Sequence, residues 1–175
     1  ASVGDNTITD ILADYKIAPG DVFFLPAGRV HSIGAGSFIA EIQQTSNITY
    51  RIYDYDRKDA NGNGRELHTE LALDAIEYKA RSDYKTVAAP RVNAPVTLEK
   101  CPYFQTNSLI VDGTAERDYA PLDSFVIYIC LDGQLELEYE GGSETIKKGE
   151  TVLIPAEMNE VILKGKGKLL EVYIP

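Results

Sequence analysis

The chain holds two imidazoles, His31 and His68, and these are the first candidates for chemistry. A neutral imidazole can ligate a metal or carry a proton near neutral pH. His31 closes the segment Gly20-Asp21-Val22-Phe23-Phe24-Leu25-Pro26-Ala27-Gly28-Arg29-Val30-His31, with the spacing G-x5-P-x-G-x2-H. Gly20 can make a tight turn into a strand. Pro26 and Gly28 can end that strand and bend the backbone. His31 just beyond is a candidate metal ligand. A hydrogen-bonded structural imidazole satisfies the same residue chemistry. His68 directly follows Leu67 in a helical stretch and reads as a structural or surface side chain. The two thiols, Cys101 and Cys130, are too few for a disulfide framework, so both are expected reduced and in the core.

These side chains need elements to hold them. A polar, weakly helical opening runs to Tyr15-Lys16, with Ile8, Ile11 and Leu12 apolar. Val22–Leu25, Ser37–Gln44 and Ile48–Tyr55 read as strands, the last rich in β-branched and aromatic residues. Asp56–Gly64, containing Asn61-Gly62-Asn63-Gly64, reads as a turn cluster. Leu67, Leu71, Ala75 and Tyr78 form one helical stripe, predicting a helix over about 65–79. Asp83–Asn93 reads as a linker. From Val96 onward the chain is a series of short strands, with turns predicted at Asp112-Gly113, Asp132-Gly133, Gly141-Gly142 and Lys148-Gly149. That spacing argues a sandwich or barrel of the jelly-roll kind.

The first motif also has a second copy. Gly149-Glu150-Thr151-Val152-Leu153-Ile154-Pro155-Ala156-Glu157-Met158-Asn159-Glu160 repeats the Gly-acid, apolar run and Pro-Ala of Gly20–His31. Glu157 and Glu160 stand where Gly28 and His31 stand in the first copy. Such internal repeats set the architecture of a chain.

The whole chain has 175 residues, enough to bury roughly 70% of the surface of the unfolded chain. Apolar residues make up 44% and charged residues 25%, which excludes disordered and collagen-like classes. Lys and Arg number 17 against 27 Asp and Glu, for a net charge of −10. An acidic chain is a poor general binder of nucleic acid or anionic membrane, so neither is expected as a partner. An anionic substrate would need a local basic pocket. The sequence has no apolar run of the ~18 residues a membrane span needs, and no basic stretch leading into an apolar one, so a cytoplasmic location is expected.

The first motif resembles the second half-motif of the cupin superfamily, which makes His31 the expected metal ligand. The family often has Asn four residues after this His, where Ala35 stands here. The region ending Cys130-Leu131-Asp132-Gly133 is similar to a cupin first half-motif without its His-x-His or Glu; Val126 occupies the Glu position. The second barrel is therefore expected to be degenerate and metal-free.

A closer resemblance covers Pro19–Ile76. Pro19–Gly34, the block Ala40-Glu41-Ile42-Gln43-Gln44-Thr45-Ser46-Asn47-Ile48-Thr49-Tyr50-Arg51-Ile52-Tyr53-Asp54-Tyr55-Asp56-Arg57, and Arg65-Glu66-Leu67-His68-Thr69-Glu70 resemble type I mannose-6-phosphate isomerase of the short bacterial kind. The resemblance implies interconversion of mannose 6-phosphate and fructose 6-phosphate through a cis-enediol, assisted by Zn2+ or another divalent metal. It implies that His31 is the last metal ligand and Arg51 the active-site arginine. A fixed guanidinium can stabilise an enediolate without losing its own proton. Arg57, Lys58 and Arg65 are phosphate-holding candidates by charge alone. Glu41, Gln43 and Tyr50 could line a pocket by strand alternation.

The departure from the family is equally specific. Its Gln-x-His pair and Glu, the other ligands, have no counterpart in this chain. The expected organisation is an incomplete N-terminal cupin barrel over 1–85, holding the helix, and a complete degenerate one over 86–175, with one or two helices in a mainly β fold. The chain is thus expected to be the C-terminal portion of a longer isomerase, inactive alone and a monomer or weak homodimer. The alternative is a non-catalytic sugar-binding or structural module.

Overall fold

Alternating apolar residues after Val96 build six antiparallel strands: β1 (Val96–Lys100), β2 (Gln105–Asp118), β3 (Val126–Tyr139), β4 (Gly142–Lys147), β5 (Thr151–Ile154) and β6 (Glu160–Tyr173). The structure, a computed structural model, describes residues 7–81 and 83–175. The first six residues of the polar opening, and Ser82, lie outside the described residues. The chain divides into two compact units, Ala1–Tyr84 and Lys85–Pro175.

In the C-terminal unit the strands order as β1-β2-β6-β3-β4. The free edge of β3 is shared: Val126–Ile129 pair with β5, and Gln134–Tyr139 pair with β4. One strand serving two partners along its length is the bent-strand geometry of a jelly roll. Inward positions of β2, β3 and β6 supply the core, including Leu109, Val111, Val126, Tyr128, Leu135, Leu137, Leu163 and Leu169. The mainly β, jelly-roll class expected from the sequence is therefore the class observed.

The strands are longer than the sequence predicts. Asp112-Gly113 and Asp132-Gly133 are not turns; β2 and β3 run through them for 14 residues each. Gly113 pairs with Gly165, and Gly133 with Gly167, so the glycines meet across the ladder. At Gly133, Gly165 and Gly167 a Cβ would meet facing backbone, whereas at Gly113 it would meet open space. A Cβ on Gly133 would lie 2.2 Å from the Lys166 carbonyl oxygen, and Gly133 has φ +80. The other two predicted turns do reverse the chain: Tyr139 pairs with Gly142 around Glu140-Gly141, and Lys148-Gly149 joins β4 to β5. Cys130 is buried as expected, but Cys101, whose thiol donates to the Phe104 carbonyl, is only half-buried; the turn at Cys101–Phe104 keeps it at the end of β1.

The N-terminal unit has little core. Among its described residues only Ile8, Asp54 and Ala72 are buried. The three predicted strands, Val22–Leu25, Ser37–Gln44 and Ile48–Tyr55, form no ladder; among described residues there are only isolated bridges such as Lys58 to Gly64. A strand exists only when a partner takes its backbone groups, and among the described residues these segments find no partner strand, leaving Phe38, Ile39, Ile48 and Tyr50 exposed. The predicted helix is shorter, α1 (Thr69–Ala75), with a 3-10 turn at Ile8–Ile11. Ala72 is its buried residue, while Leu67, Leu71 and Tyr78 of the predicted stripe are exposed.

The internal repeat is a repeat of geometry. Gly20 and Gly149 both have positive φ, +94 and +87. Asp21 N–H donates to the Ala18 carbonyl at 3.1 Å, as Glu150 N–H donates to Lys147 at 2.9 Å. Arg29 N–H donates to Pro26 at 3.2 Å, as Met158 N–H donates to Pro155 at 3.0 Å. The first copy adds a helix clamp: Glu77 N–H donates to the Gly28 carbonyl at 2.8 Å. A Cβ on Gly28 would come within 2.5 Å of the Ala75 carbonyl oxygen, so only glycine lets the rim turn touch the end of α1.

Candidate active site

His31 follows the Pro26–Arg29 turn and is exposed. Its Nδ1 lies 2.9 Å from the Arg29 carbonyl. A carbonyl only accepts, so Nδ1 carries the proton and the lone pair of the neutral ring sits on Nε2. That tautomer suits metal ligation. One donor does not make a centre, however. A catalytic zinc takes three protein ligands, and among the described residues no group of three His, Cys, Asp or Glu side chains can hold a metal. The described residues therefore do not by themselves fit a zinc centre.

Arg51 sits in a different chemical setting. Its backbone N–H donates to His68 Nδ1 at 3.1 Å, and its carbonyl accepts from His68 N–H at 2.7 Å. His68 thereby stitches the start of α1 to the 48–55 segment, which is the structural role its sequence position suggested. The Arg51 side chain is 21% exposed; Nη1 donates to the Glu66 carbonyl at 3.4 Å, and Nε lies 3.8 Å from Asp54 Oδ1.

Asp54 is the hub. Its side chain is 8% exposed, and Oδ1 faces three guanidiniums: Arg51, Arg57, and Arg65 at 3.6 Å. Arg57 also donates from Nε to the Asp54 carbonyl at 3.2 Å. Asp54 Oδ2 is buried without a hydrogen-bond partner. The 54–57 turn is itself strained: Arg57 N–H donates to Asp54 O at 3.1 Å, with Tyr55 at φ +56 and Asp56 at φ +52. Two successive non-glycine residues in the left-handed region cost on the order of 1–2 kcal/mol each. The Tyr55 hydroxyl meets Ser32 Oγ, and its ring lies 5.7 Å beneath Arg57, so the turn is held from both sides.

The predicted turn cluster explains how Arg65 arrives. Asp59 Oδ1 accepts from Asn61 and Asn63 N–H at 2.8 and 2.9 Å, and the Lys58–Gly64 bridge closes the loop. The Asn63 and Asn61 amides hold the Asp59 carboxyl below its ordinary pKa. Closing the loop returns the chain to Arg65, next to Arg57. Lys58 spends its backbone in that bridge and is not among the ion pairs on Asp54. Glu41, Gln43 and Tyr50 are exposed and do not join the cluster.

A second polar group lies inside the C-terminal jelly roll, and sequence reasoning missed it. Asn107, Glu171 and Tyr128 are cross-strand neighbours on β2, β6 and β3. Glu171 is fully buried; Asn107 Nδ2 donates to Oε2 at 2.7 Å, and Arg117 Nε and the Tyr119 hydroxyl donate to Oε1 at 2.8 and 2.6 Å. Tyr128 then gives its proton to the Tyr119 oxygen. Burial, reinforced by Tyr128 and Glu171, pushes the Tyr119 phenol far above its ordinary pKa, and burial does the same to Tyr128. Burial opposes the charge on Arg117, but the hydrogen bond and charge of Glu171 together with Tyr119 outweigh it and raise its pKa. Glu171 was findable: Leu169, Glu171 and Tyr173 share one face of a strand whose alternate residues are core.

Comparison with known proteins bears on both units. Residues 95–174 match the family model for the mannose-6-phosphate isomerase cupin domain. The chain is 35% identical over 159 residues to mannose-6-phosphate isomerase ManA of Bacillus subtilis, spanning 89% of this chain and 50% of that protein. The chain resembles the C-terminal portion of a mannose-6-phosphate isomerase. The putative mannose-6-phosphate isomerase YvyI of the same organism is 34% identical over 166 residues, or 94% of this chain and 52% of that protein. The chain thus spans about half the length of the curated relatives it matches. The crystal structure of the mannose 6-phosphate isomerase from Bacillus subtilis superposes with a TM-score of 0.62 at 32% identity, covering 73% of this chain and 40% of that one. A phosphomannose isomerase from Salmonella typhimurium, at 16% identity and a TM-score of 0.55, shares the fold. Among the described residues no helix is long and apolar enough to cross a membrane.

Proposed function

We propose that this chain is the C-terminal portion of a cytoplasmic mannose-6-phosphate isomerase and supplies Arg51 to its active site. The observation that carries the reading is the half-buried Arg51 guanidinium, fixed by Asp54 and the Glu66 carbonyl within a segment that resembles the isomerases. Isomerisation moves a proton between C1 and C2 of an open-chain sugar through a cis-enediol. Negative charge develops on the oxygens at those carbons. A guanidinium already held in place stabilises that charge with no reorganisation and keeps its own proton throughout.

His31 contributes one imidazole, with Nε2 free to bind. A divalent metal, when bound, would polarise the sugar oxygens, and its other ligands would come from outside the described residues. The chain alone is accordingly inactive, and is a monomer or weak homodimer in solution. A coupled assay of mannose 6-phosphate conversion tests this. The protein that joins this chain to the portion its relatives carry beyond it should turn over. The chain alone should not, with or without zinc. Turnover by the chain alone would overturn the ligand argument, and its absence from the longer protein would overturn the isomerase assignment. The lack of a three-donor metal group among the described residues favours a second reading, a non-catalytic sugar-binding module. Such a module would bind sugar at full strength without metal.

A further inference from the structure

We infer that Asn63 is a site of spontaneous covalent modification, at which the Gly64 nitrogen and water convert the side chain to aspartate and isoaspartate and so open the loop that carries Arg65. Two Asn-Gly pairs occur in the chain, Asn61-Gly62 and Asn63-Gly64, and both lie exposed in the turn cluster. Glycine favours attack on the preceding side chain because no Cβ shields its nitrogen and its backbone turns freely. The loop then treats the two pairs differently. The Gly62 N–H donates to the Asp59 carbonyl at 3.0 Å, which holds the first nucleophile in place. Among the described residues the Gly64 N–H meets no acceptor. The Lys58–Gly64 bridge runs instead through the Asp59 N–H, which donates to the Asn63 carbonyl at 2.9 Å. The space beside Gly64 is open, since a Cβ there would have only the Arg57 carbonyl oxygen near it, at 4.0 Å. Asp59 also keeps Asn63 within the loop: Oδ1 accepts the Asn63 backbone N–H at 2.9 Å, and the carboxylate takes a hydrogen bond from its side-chain amide.

The reaction balances with water as its one co-reactant. The Gly64 nitrogen bonds to Asn63 Cγ and gives up its proton. The Cγ–Nδ2 bond breaks, and Nδ2 leaves with that proton as ammonia. Water then opens the resulting cyclic imide at either carbonyl. Opening at Cγ leaves aspartate on an ordinary backbone. Opening at the main-chain carbonyl leaves isoaspartate, whose chain runs through Cβ and Cγ. Both products set a new carboxylate beside Asp59, which the loop amides already hold in its charged form, and like charges this close repel. Isoaspartate also adds a carbon to the backbone before Gly64 and displaces the carbonyl that accepts from the Asp59 N–H. The Lys58–Gly64 bridge then cannot close in its present register. Arg65, which that closure brings to 3.6 Å from Asp54, is released.

The test is incubation of the 175-residue chain in neutral buffer made with heavy-oxygen water, followed by digestion and peptide mass spectrometry. The expected result is loss of ammonia and uptake of solvent oxygen at Asn63, giving two separable isomers, with Asn61 reacting severalfold more slowly. In urea, where the loop bonds are gone, the two sites should react at similar rates. Gly64→Ala should slow the reaction at Asn63 severalfold and leave Asn61 as it was. Hydrogen exchange reads the consequence for the loop. The Asp59 amide should be less protected in the isoaspartyl form than in Asn63→Asp, which adds the charge without the extra carbon. Equal rates at Asn61 and Asn63 in the folded chain, the same preference for Asn63 in urea, or a folded chain that stays unmodified while the urea-treated chain converts would each overturn the site. An isoaspartyl form whose Asp59 amide is as protected as in the unaltered chain would overturn the opening of the loop.

Discussion

Glu171 shows how much one side chain can carry. It is a carboxylate with no exposed surface, and four polar partners, directly or through one another, depend on it. Removing it by Glu171→Ala leaves the half-buried Arg117 without its counter-charge and the buried Asn107 and Tyr119 without their acceptor, which should cost about 3–5 kcal/mol. Chemical denaturation of the chain would measure this, and Glu171→Gln, which keeps an acceptor, should cost clearly less. The two phenols make a prediction about pH. Their pKa values are raised by burial relative to the unfolded chain, so the stability they contribute is complete below about pH 10 and is lost as pH rises past it. Ultraviolet titration should find Tyr119 and Tyr128 ionising only as the protein unfolds. At this scale the sequence was legible where a residue type is rare. His31 and Arg51 stood out through a motif or a resemblance. Asp54 did not, because it reads as one more charge in the run from Arg51 to Arg57. Only the fold brings Arg65 back to it.

Glycine decides the shape of the strands. In sequence, Asp-Gly between apolar runs signals a reversal, and that signal was right at neither Asp112-Gly113 nor Asp132-Gly133. A glycine with positive φ permits a tight turn or a bend in a continuing ladder, and which one forms depends on whether a partner strand lies across from it. Here β6 runs opposite both, so the ladder continues. The contrast can be measured. Gly113→Ala, with nothing within 4 Å of its Cβ, should cost only the left-handed backbone, on the order of 1–2 kcal/mol. Gly133→Ala adds a contact with backbone at 2.2 Å and should cost distinctly more, as read by thermal unfolding. The helix teaches the converse. The predicted stripe fell on α1, yet the helix buries Ala72, which is not in the stripe, and leaves Leu67, Leu71 and Tyr78 exposed.

Across the whole molecule the two units differ in how they are held together. Lys85–Pro175 has a continuous ladder over a closed apolar core, while the described part of the N-terminal unit relies on turns, single hydrogen bonds and ion pairs. Amide exchange follows the depth of such cores. Amides of β2, β3 and β6 should exchange slowest, and those of 22–55 should exchange fastest. The internal repeat spans this contrast. The same two turns recur in both units, but a ladder joins them to a barrel in one and isolated bridges hold them in the other. Architecture was therefore legible from Val96 onward, where pairing is internal to the segment. It was less so before residue 84, where strand-type residues lack partners within the unit. The proposed role of Arg51 is to stabilise the charge formed as mannose 6-phosphate becomes fructose 6-phosphate. Steady-state kinetics of Arg51→Gln in the protein that joins this chain to the portion its relatives carry beyond it tests it most directly. The expected result is a fall in kcat of about 10²–10³-fold with KM much less affected, and a kcat close to that of the unaltered protein would rule out this role for Arg51.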